Sequence, residues 1–207
     1  MINKLAVYFI LLVNLLMLSC SDKEKEKVTV KDSIITDDDK YRDPKNYFKD
    51  CKALFAKAQK LDSILYTQEE LDKNTANQAI KAFTDYAYYC KNDSLSPIFL
   101  IKTAQVALAI NNVTQAKVNL EKCIQDYYQF EGIASAFFLL GQLYDEKEYL
   151  NNEEEARRIY QELIDRYPNS PEAESAKGAI KYLGMTDKEI INELKREAKS
   201  QPKVTIQ

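Results

Sequence analysis

The amino-acid sequence predicts an all-α fold of antiparallel helix pairs, and three observations support this prediction. The first is a pair of apolar sets between residues 134 and 168, each spaced so that its members share one helical face. The sets are Phe137, Leu140, Gly141 and Tyr144, followed by Ala156, Tyr160 and Leu163. The second is the recurrence of a serine and a proline, a pair that starts helices, at residues 96–97 and 170–171. The third is the low count of four glycines and five prolines in 207 residues, which is typical of a helical chain with few irregular loops.

A period of about 37 residues orders these helices into repeated pairs. Pro97 and Pro171 are 74 residues apart, and Ala134, where one pair starts, lies midway between them. Ala104 stands 37 residues before Gly141, so an earlier pair is predicted around it. Its core residues, at the same helical spacing, are Leu100, Ala104 and Ala107, then Ala116, Leu120 and Cys123.

The folded part is predicted to begin at Asp43-Pro44, an N-cap followed by a proline in the first turn. A helix follows from Tyr47 to about Ile64, and its expected core residues are Phe48, Leu54, Phe55 and Leu61. Thr67 and Glu70 form a capping-box pattern that we expect to start the next helix. The core residues of that helix are Ala79, Phe83 and Tyr86.

The C-terminal part of the domain is predicted to close the helical stack. A helix spans residues 171–183, with Ala173, Ala176, Ile180 and Leu183 on one face, and Gly184 ends it. Thr186 and Glu189 form a second capping-box pattern before a short amphipathic helix with a polar outer face. Residues 201–207 should fray.

Gly141 and Ala156 are small at positions where two paired helices must approach closely, and Pro168 follows the second helix. This pattern resembles the tetratricopeptide repeat, which has a large residue, Leu, Gly and Tyr in one helix and Ala, an aromatic, Ala and Pro in the next. Leu163 stands where the family has alanine, and the turn over residues 146–152 is about three residues longer. The resemblance covers residues 44–183 and implies a tetratricopeptide-like solenoid of three antiparallel helix pairs, with one or two C-terminal capping helices.

The first twenty residues have the arrangement of a secretory signal. Lys4 precedes an apolar run from Leu5 to Leu18, which is shorter than the ~20 residues of a spanning helix. The sequence Met17-Leu18-Ser19-Cys20 resembles the lipobox of bacterial lipoproteins, which implies cleavage before Cys20, diacylation of its thiol and a lipid-anchored mature chain. The alternative is an uncleaved N-terminal anchor with an incidental cysteine.

Residues 21–42 are rich in charge and poor in large apolar residues, so we expect a disordered tether. Ser21 after the lipidated cysteine resembles lipoproteins of the outer membrane, and the charged stretch that follows resembles the surface-export signal of Bacteroidota lipoproteins. Its alternating lysines favour a solvated tether instead, so we expect the periplasmic face of the outer membrane. The predicted parts are therefore a signal peptide (1–19), an anchored tether (20–42), a repeat domain (43–183), a capping helix (184–200) and a frayed tail (201–207).

Three cysteines remain besides Cys20, namely Cys51, Cys90 and Cys123. Cys51 lies near the start of one predicted helix and Cys90 near the end of the next, so a disulfide between them is geometrically possible in an antiparallel pair. Cys123 occupies a core position and should be a buried small apolar residue. Of the two arrangements, three free, buried thiols are the one we expect.

The composition argues against an enzyme. The chain has no histidine, which excludes Ser–His and Cys–His nucleophiles and most zinc sites, and it has no CxxC and no Gly-rich phosphate loop. The acidic run at residues 153–155 is interpreted as the stabilised first turn of a helix rather than a metal site. A net charge of −3 gives no field that attracts nucleic acid. We expect no cofactor beyond the covalent acyl chains on Cys20.

In the tetratricopeptide repeat family, the first helix of each pair builds a concave face, so the resemblance implies a partner-binding groove. Its predicted residues are Ile98, Ile101, Gln105, Leu108, Ser135, Phe138, Gln142 and Asp145. Apolar groups flanked by amides suit an extended peptide or a helix of an envelope protein. The alternative is that the first repeat or the C-terminal helix already covers these groups. The sequence thus favours a non-enzymatic scaffold lipoprotein of the envelope, and the alternative function is a surface-exposed binding lipoprotein for nutrient or glycan uptake.

Overall fold

The computed structural model describes residues 47–200, with side chains for all of these except 47–50, 187 and 198–200. This part of the chain is helical throughout and contains no strand, as predicted. Its eight helices are α1 (Tyr47–Thr67), α2 (Lys73–Tyr89), α3 (Ser96–Ala109), α4 (Val113–Asp126), α5 (Ile133–Asp145), α6 (Glu153–Arg166), α7 (Pro171–Tyr182) and α8 (Asp187–Ser200). Within residues 47–200, no helix combines the length and the apolar character needed to cross a bilayer. The predicted signal peptide, tether, Asp43-Pro44 cap and frayed tail lie outside the described residues.

The helices pack as a tetratricopeptide-like solenoid. From α2 to α7, each helix packs against the next one along the chain. The first helices of neighbouring pairs are also in contact: α3 contacts α5, and α5 contacts α7. This nearest-neighbour packing is the arrangement by which repeat proteins build a continuous core. The predicted solenoid of antiparallel helix pairs is confirmed, and α7 and α8 follow the last pair at the C-terminal end.

The core follows the predicted repeat positions. The alanines at these positions allow two helices to approach closely, while the larger residues fill the space between the pairs. All of the following are buried: Ala79, Phe83 and Tyr86; Leu100, Ala104 and Ala107; Ala116, Leu120 and Cys123; Ala156, Tyr160 and Leu163; Ala173 and Ala176. In α1, Leu54 and Leu61 are buried and Phe55 is half-buried, whereas the side chain of Phe48 is not described.

Asparagine pairs start the second helices of two repeats. Asn111 and Asn151 adopt a left-handed backbone, with φ of 61° and 47°. Asn112 and Asn152, which follow them, accept a backbone hydrogen bond in the first turns of α4 and α6, at 3.2 and 3.1 Å. The turn between α5 and α6 spans residues 146–152, whereas only residues 110–112 separate α3 from α4. The long turn predicted for the central repeat is thus present.

The capping residues predicted for the two C-terminal helices are present. Ser170 caps α7, because its Oγ accepts a hydrogen bond from the backbone N–H of Ala173 at 3.0 Å. Gly184 follows α7 with φ of +79°, a conformation that glycine adopts without strain. The backbone N–H of Thr186 donates to Glu189 Oε2 at 2.8 Å, and the N–H of Glu189 donates to Thr186 Oγ1 at 3.4 Å. These reciprocal bonds form the capping box that starts α8.

The predicted capping box at Thr67 and Glu70 is wrong. Thr67 is the last residue of α1, and its hydroxyl donates to the backbone carbonyls of Ser63 and Ile64, both at 3.1 Å. The hydroxyl is therefore used to close α1 and cannot cap a following helix. The cap of α2 is Asp72, whose carboxylate accepts from the Thr75 N–H at 2.8 Å and stands beside the positive end of the helix.

Ser96 does not act as an N-cap either. It is a buried first residue of α3, and its hydroxyl donates to the carbonyl of Cys90 at 2.7 Å. The N-cap position belongs to Leu95, which makes no side-chain cap. Pro97 still lies in the first turn of α3, where its missing N–H has no cost. The serine thus connects two repeats instead of capping one helix.

The expectation of three free thiols is wrong, because Cys51 and Cys90 form a disulfide with a Cα–Cα distance of 5.8 Å. α1 is long enough to place Cys51, in its first turns, beside the residue that ends α2. Cys123 is free and buried, as predicted. Burial raises the pKa of its thiol to about 12, so it carries no thiolate at neutral pH.

Candidate partner-binding face

The contact between Gly141 and Tyr160 fixes α5 against α6. A Cβ on Gly141 would lie 2.3 Å from Cε1 and 2.5 Å from Cδ1 of the Tyr160 ring, so only glycine leaves room for the ring. Tyr160 is completely buried. The Tyr160 ring therefore packs directly over Gly141. This contact fixes the orientation of α5 relative to α6.

The eight residues of the predicted groove lie on α3 and α5, at equivalent positions one period apart. Seven of them are half-buried, and Ile101 is buried. Gln105 of α3 corresponds to Gln142 of α5, so an amide recurs at the same place in both helices. The two helices therefore present a partly accessible face of mixed apolar and amide character.

Three of the four predicted residues on α5 make contacts within the chain. Ser135 Oγ donates to Glu172 Oε1 of α7 at 2.6 Å, which links two neighbouring first helices. The Phe138 ring lies against the Tyr160 ring, with 5.8 Å between centroids. The Tyr160 hydroxyl donates a long hydrogen bond, 3.4 Å, to Asp145 Oδ2. The side chains of Ser135, Phe138 and Asp145 therefore line the face and also stabilise the packing of α5 against α6 and α7.

At the N-terminal end of the face, α1 lies against α3. The Phe55 and Phe99 rings meet edge to face with 6.2 Å between centroids, and Lys102 Nζ is 2.7 Å from the Asp62 carboxylate. Phe99 and Lys102 flank Ile101, the one predicted residue that is buried. Sequence reasoning missed Asp62 and Glu172 as neighbours of the groove. Glu172 follows Ser135 by one 37-residue period, and that spacing could have identified it.

The electrostatics of the face are dominated by burial of its carboxylate. Partial burial raises the pKa of Asp145, nearby Glu153 raises it further, and the Tyr160 hydrogen bond opposes the shift. Burial also raises the pKa of the Tyr160 hydroxyl, reinforced by the charge of Asp145. The phenol therefore stays protonated and acts only as a donor.

Replacing Asp145 with asparagine should change how stability depends on pH. A carboxyl whose pKa is higher in the folded chain favours folding while protonated, and this contribution is lost as the pH rises from the unfolded pKa of about 3.9 through the folded value. We expect the Tm of Asp145→Asn minus that of the wild type to increase as the pH rises above about 3.9, and to level off once Asp145 is ionised in both the folded and the unfolded chain. Thermal melts followed by circular dichroism measure this difference, and a difference that does not vary with pH would contradict the shift.

The rest of the described surface offers little chemistry. No group of three or more His, Cys, Asp or Glu side chains that could hold a metal ion occurs among the residues described. Glu153, Glu154 and Glu155 occupy the first turn of α6, as predicted, where carboxylates stabilise the positive end of the helix. The surface of α6 beyond them is held by ion pairs such as Arg158 with Glu155 and Glu162.

Comparison with known proteins gives one family match. Residues 135–170 match the family model described as tetratricopeptide repeat. The match spans α5, the long turn and α6 and ends at the cap of α7. No curated protein and no solved structure matched the chain. The resemblance predicted from Gly141, Ala156 and Tyr160 is thus confirmed for this segment, which is similar to a tetratricopeptide repeat and lies within the helical solenoid.

Proposed function

We propose that this chain is a non-enzymatic scaffold that binds a protein partner on the face formed by α3 and α5. The observation that carries this proposal is the tetratricopeptide repeat at residues 135–170, because such repeats generally serve as protein-interaction modules. Its first helix keeps Phe138 and Gln142 only half-buried. Aromatic rings and amides of this kind supply contact area and orientation to an extended peptide or a helix.

The chemistry of the described residues supports binding rather than catalysis. The one free thiol described, Cys123, is buried and has a raised pKa, so it is a poor nucleophile. The partly buried Asp145 is paired with a tyrosine hydroxyl and has no histidine available to act with it, because the chain contains none.

We further propose that the scaffold works in the bacterial envelope, held to the periplasmic face of the outer membrane by acyl chains on Cys20. The support is the pattern Met17-Leu18-Ser19-Cys20 after a short apolar run. A Cys20→Ala variant should leave the membrane fraction, and intact cells should protect the wild-type chain from added protease. Release of the wild-type chain by protease would instead favour the surface-exposed nutrient- or glycan-binding alternative.

Photo-crosslinking from position 138 tests the binding face. A photoreactive phenylalanine analogue at Phe138 keeps an aromatic ring beside Tyr160, so the fold should be preserved. We expect a discrete adduct in cells, identified by mass spectrometry. The same analogue at Lys188, an exposed residue of α8, is the control and should give no such adduct.

The outcomes separate partner binding from a covered face. Adducts only within the chain, or none, would contradict the proposed site and favour the reading in which α1 or α8 covers it. An adduct from both positions would indicate non-specific contact rather than a groove.

A further inference from the structure

The residue that ends the second helix of each pair reaches back to an earlier part of the chain. Tyr127, after α4, donates its hydroxyl to the Lys91 carbonyl at 2.8 Å. Tyr167, after α6, donates to the Tyr128 carbonyl at 3.1 Å. The equivalent residue after α2 is Cys90, which is bonded to Cys51 of α1. The three links span 36, 39 and 39 residues, so one position of the repeat provides each of them.

The disulfide between Cys51 and Cys90 differs in chemistry from the two tyrosine links. The tyrosine links are single hydrogen bonds at exposed positions, which contribute little and re-form freely. The cysteine link is covalent and can be broken only by reduction. It therefore makes the attachment of α1 depend on redox conditions, whereas the attachment of the later pairs does not.

The remaining attachments of α1 are non-covalent and include its buried residues Leu54, Ala58 and Leu61. Its Phe55 ring touches Tyr86 and Phe99, with centroids 5.8 and 6.2 Å away. Asp62 pairs with Lys102, but both side chains are more than a third exposed, so water screens this pair. Most residues on the outer side of α1 are solvent-exposed. The disulfide fixes the N-terminal turns of α1, and non-covalent packing holds the rest of the helix.

We propose that the Cys51–Cys90 disulfide is a redox-dependent lock on α1. In the oxidised chain the lock holds α1 against α2 and α3. A dithiol reductant opens the lock in two steps. Its first thiolate attacks one sulfur of the protein disulfide, and its second thiolate then displaces that sulfur and closes the disulfide of the reductant. The two electrons and two protons that the dithiol gives up convert the protein disulfide into the thiols of Cys51 and Cys90. α1 then separates while α2 to α7 remain packed.

Release of α1 would change the surface at one end of the stack. The faces of Tyr86 and Phe99 that meet Phe55 would become accessible. Apolar surface on α2 and on α3, which is one helix of the α3–α5 face, would thus be exposed. This consequence stands on the packing alone and does not depend on whether that face binds a partner.

Hydrogen exchange of the mature full-length chain, with and without dithiothreitol, tests the lock. Closing the loop between Cys51 and Cys90, which are 39 residues apart, predicts that reduction raises the equilibrium constant for opening of α1 by roughly several hundredfold. We therefore expect exchange in peptides from residues 51–67 to accelerate strongly, while peptides from residues 133–166 keep their rates. Unchanged exchange in α1 would overturn the proposal. Equal acceleration in both regions would also overturn it, because the disulfide would then support the whole fold.

Matched variants assign the effect to this bond. The double variant Cys51→Ser/Cys90→Ser should show fast exchange in α1 without reductant and no response to it. Tyr167→Phe removes the equivalent hydrogen-bonded link, so its α1 should remain protected until dithiothreitol is added. Cys123→Ala, which removes the buried thiol, should respond to reductant like the wild type. If the double variant does not fold, the comparison of oxidised and reduced wild-type chain still decides the question.

Discussion

Replacing Gly141 with alanine should lower the free energy of unfolding by about 1–3 kcal/mol, or more if the helices cannot shift. The added Cβ would lie 2.3 Å from Tyr160 Cε1, well inside van der Waals contact. The ring cannot swing aside, because Tyr160 is completely buried. α5 and α6 must therefore separate, and the contacts around the ring loosen with them. Urea denaturation followed by circular dichroism measures the loss.

Gly178→Ala is the matched control for this prediction. Gly178 also lies within a helix, α7, but a Cβ there would meet no atom within 4 Å. Alanine restricts the unfolded chain and favours helix, so this variant should gain roughly 0.5–1 kcal/mol. If Gly141→Ala gained stability as Gly178→Ala should, helix propensity rather than the contact with Tyr160 would decide the result at Gly141.

Truncation of Tyr160 should have the largest effect of any change at this junction. We expect Tyr160→Ala to lower the free energy of unfolding by about 3–5 kcal/mol, because the lost ring leaves a cavity between α5 and α6. The Phe138 ring, 5.8 Å away, would lose its support, so the α5 face should loosen as well. Denaturant unfolding measures the first effect, and the crosslinking yield from position 138 reports the second.

Tyr160→Phe separates packing from hydrogen bonding. It keeps the ring and removes only the hydroxyl, whose bond to Asp145 is long at 3.4 Å. The expected loss is about 1 kcal/mol or less. A loss as large as that of Tyr160→Ala would show that the hydroxyl and Asp145, rather than the ring, hold the junction.

The repeated core was predictable because helical spacing and small residues are local signals. Ala156, Tyr160 and Leu163 recur in type as Ala116, Leu120 and Cys123, and the structure buries all six. A signal that the sequence also carried was missed. The pairs at residues 111–112 and 151–152 are both Asn-Asn, and each marks the start of a second helix. Asparagine tolerates a left-handed backbone and caps helices, so its doubling was a physical marker of these turns.

The two wrong capping predictions share one physical cause, which is that preceding backbone carbonyls engage the hydroxyl that was expected to cap the next helix. Thr67 and Ser96 both suit an N-cap by residue type, but their hydroxyls donate to carbonyls of earlier residues. A capping pattern in the sequence shows which side-chain oxygen could accept a bond from a helix N–H group. It does not show which backbone carbonyl could engage the same side chain instead. The disulfide was misjudged for a different reason, because the distance between Cys51 and Cys90 depends on how far α1 extends.

The candidate face was only partly predictable. Repeat position identified its eight residues, and the structure leaves seven of them half-buried. The contacts of Ser135 with Glu172 and of Asp145 with Tyr160 arise from packing between helices, which spacing within one helix cannot reveal. The contacts of α1 with Phe99 and Lys102 of α3 are likewise a property of the assembled stack.

The tyrosine links have a consequence for how such a chain can change over evolutionary time. Each hydroxyl is received by a main-chain carbonyl, a group that every residue type carries. The receiving residues already differ, since one is Lys91 and the other is Tyr128. Mutations at these receiving positions can therefore accumulate without removing the acceptor. The donor must remain a tyrosine, so only one partner of each link is constrained by it.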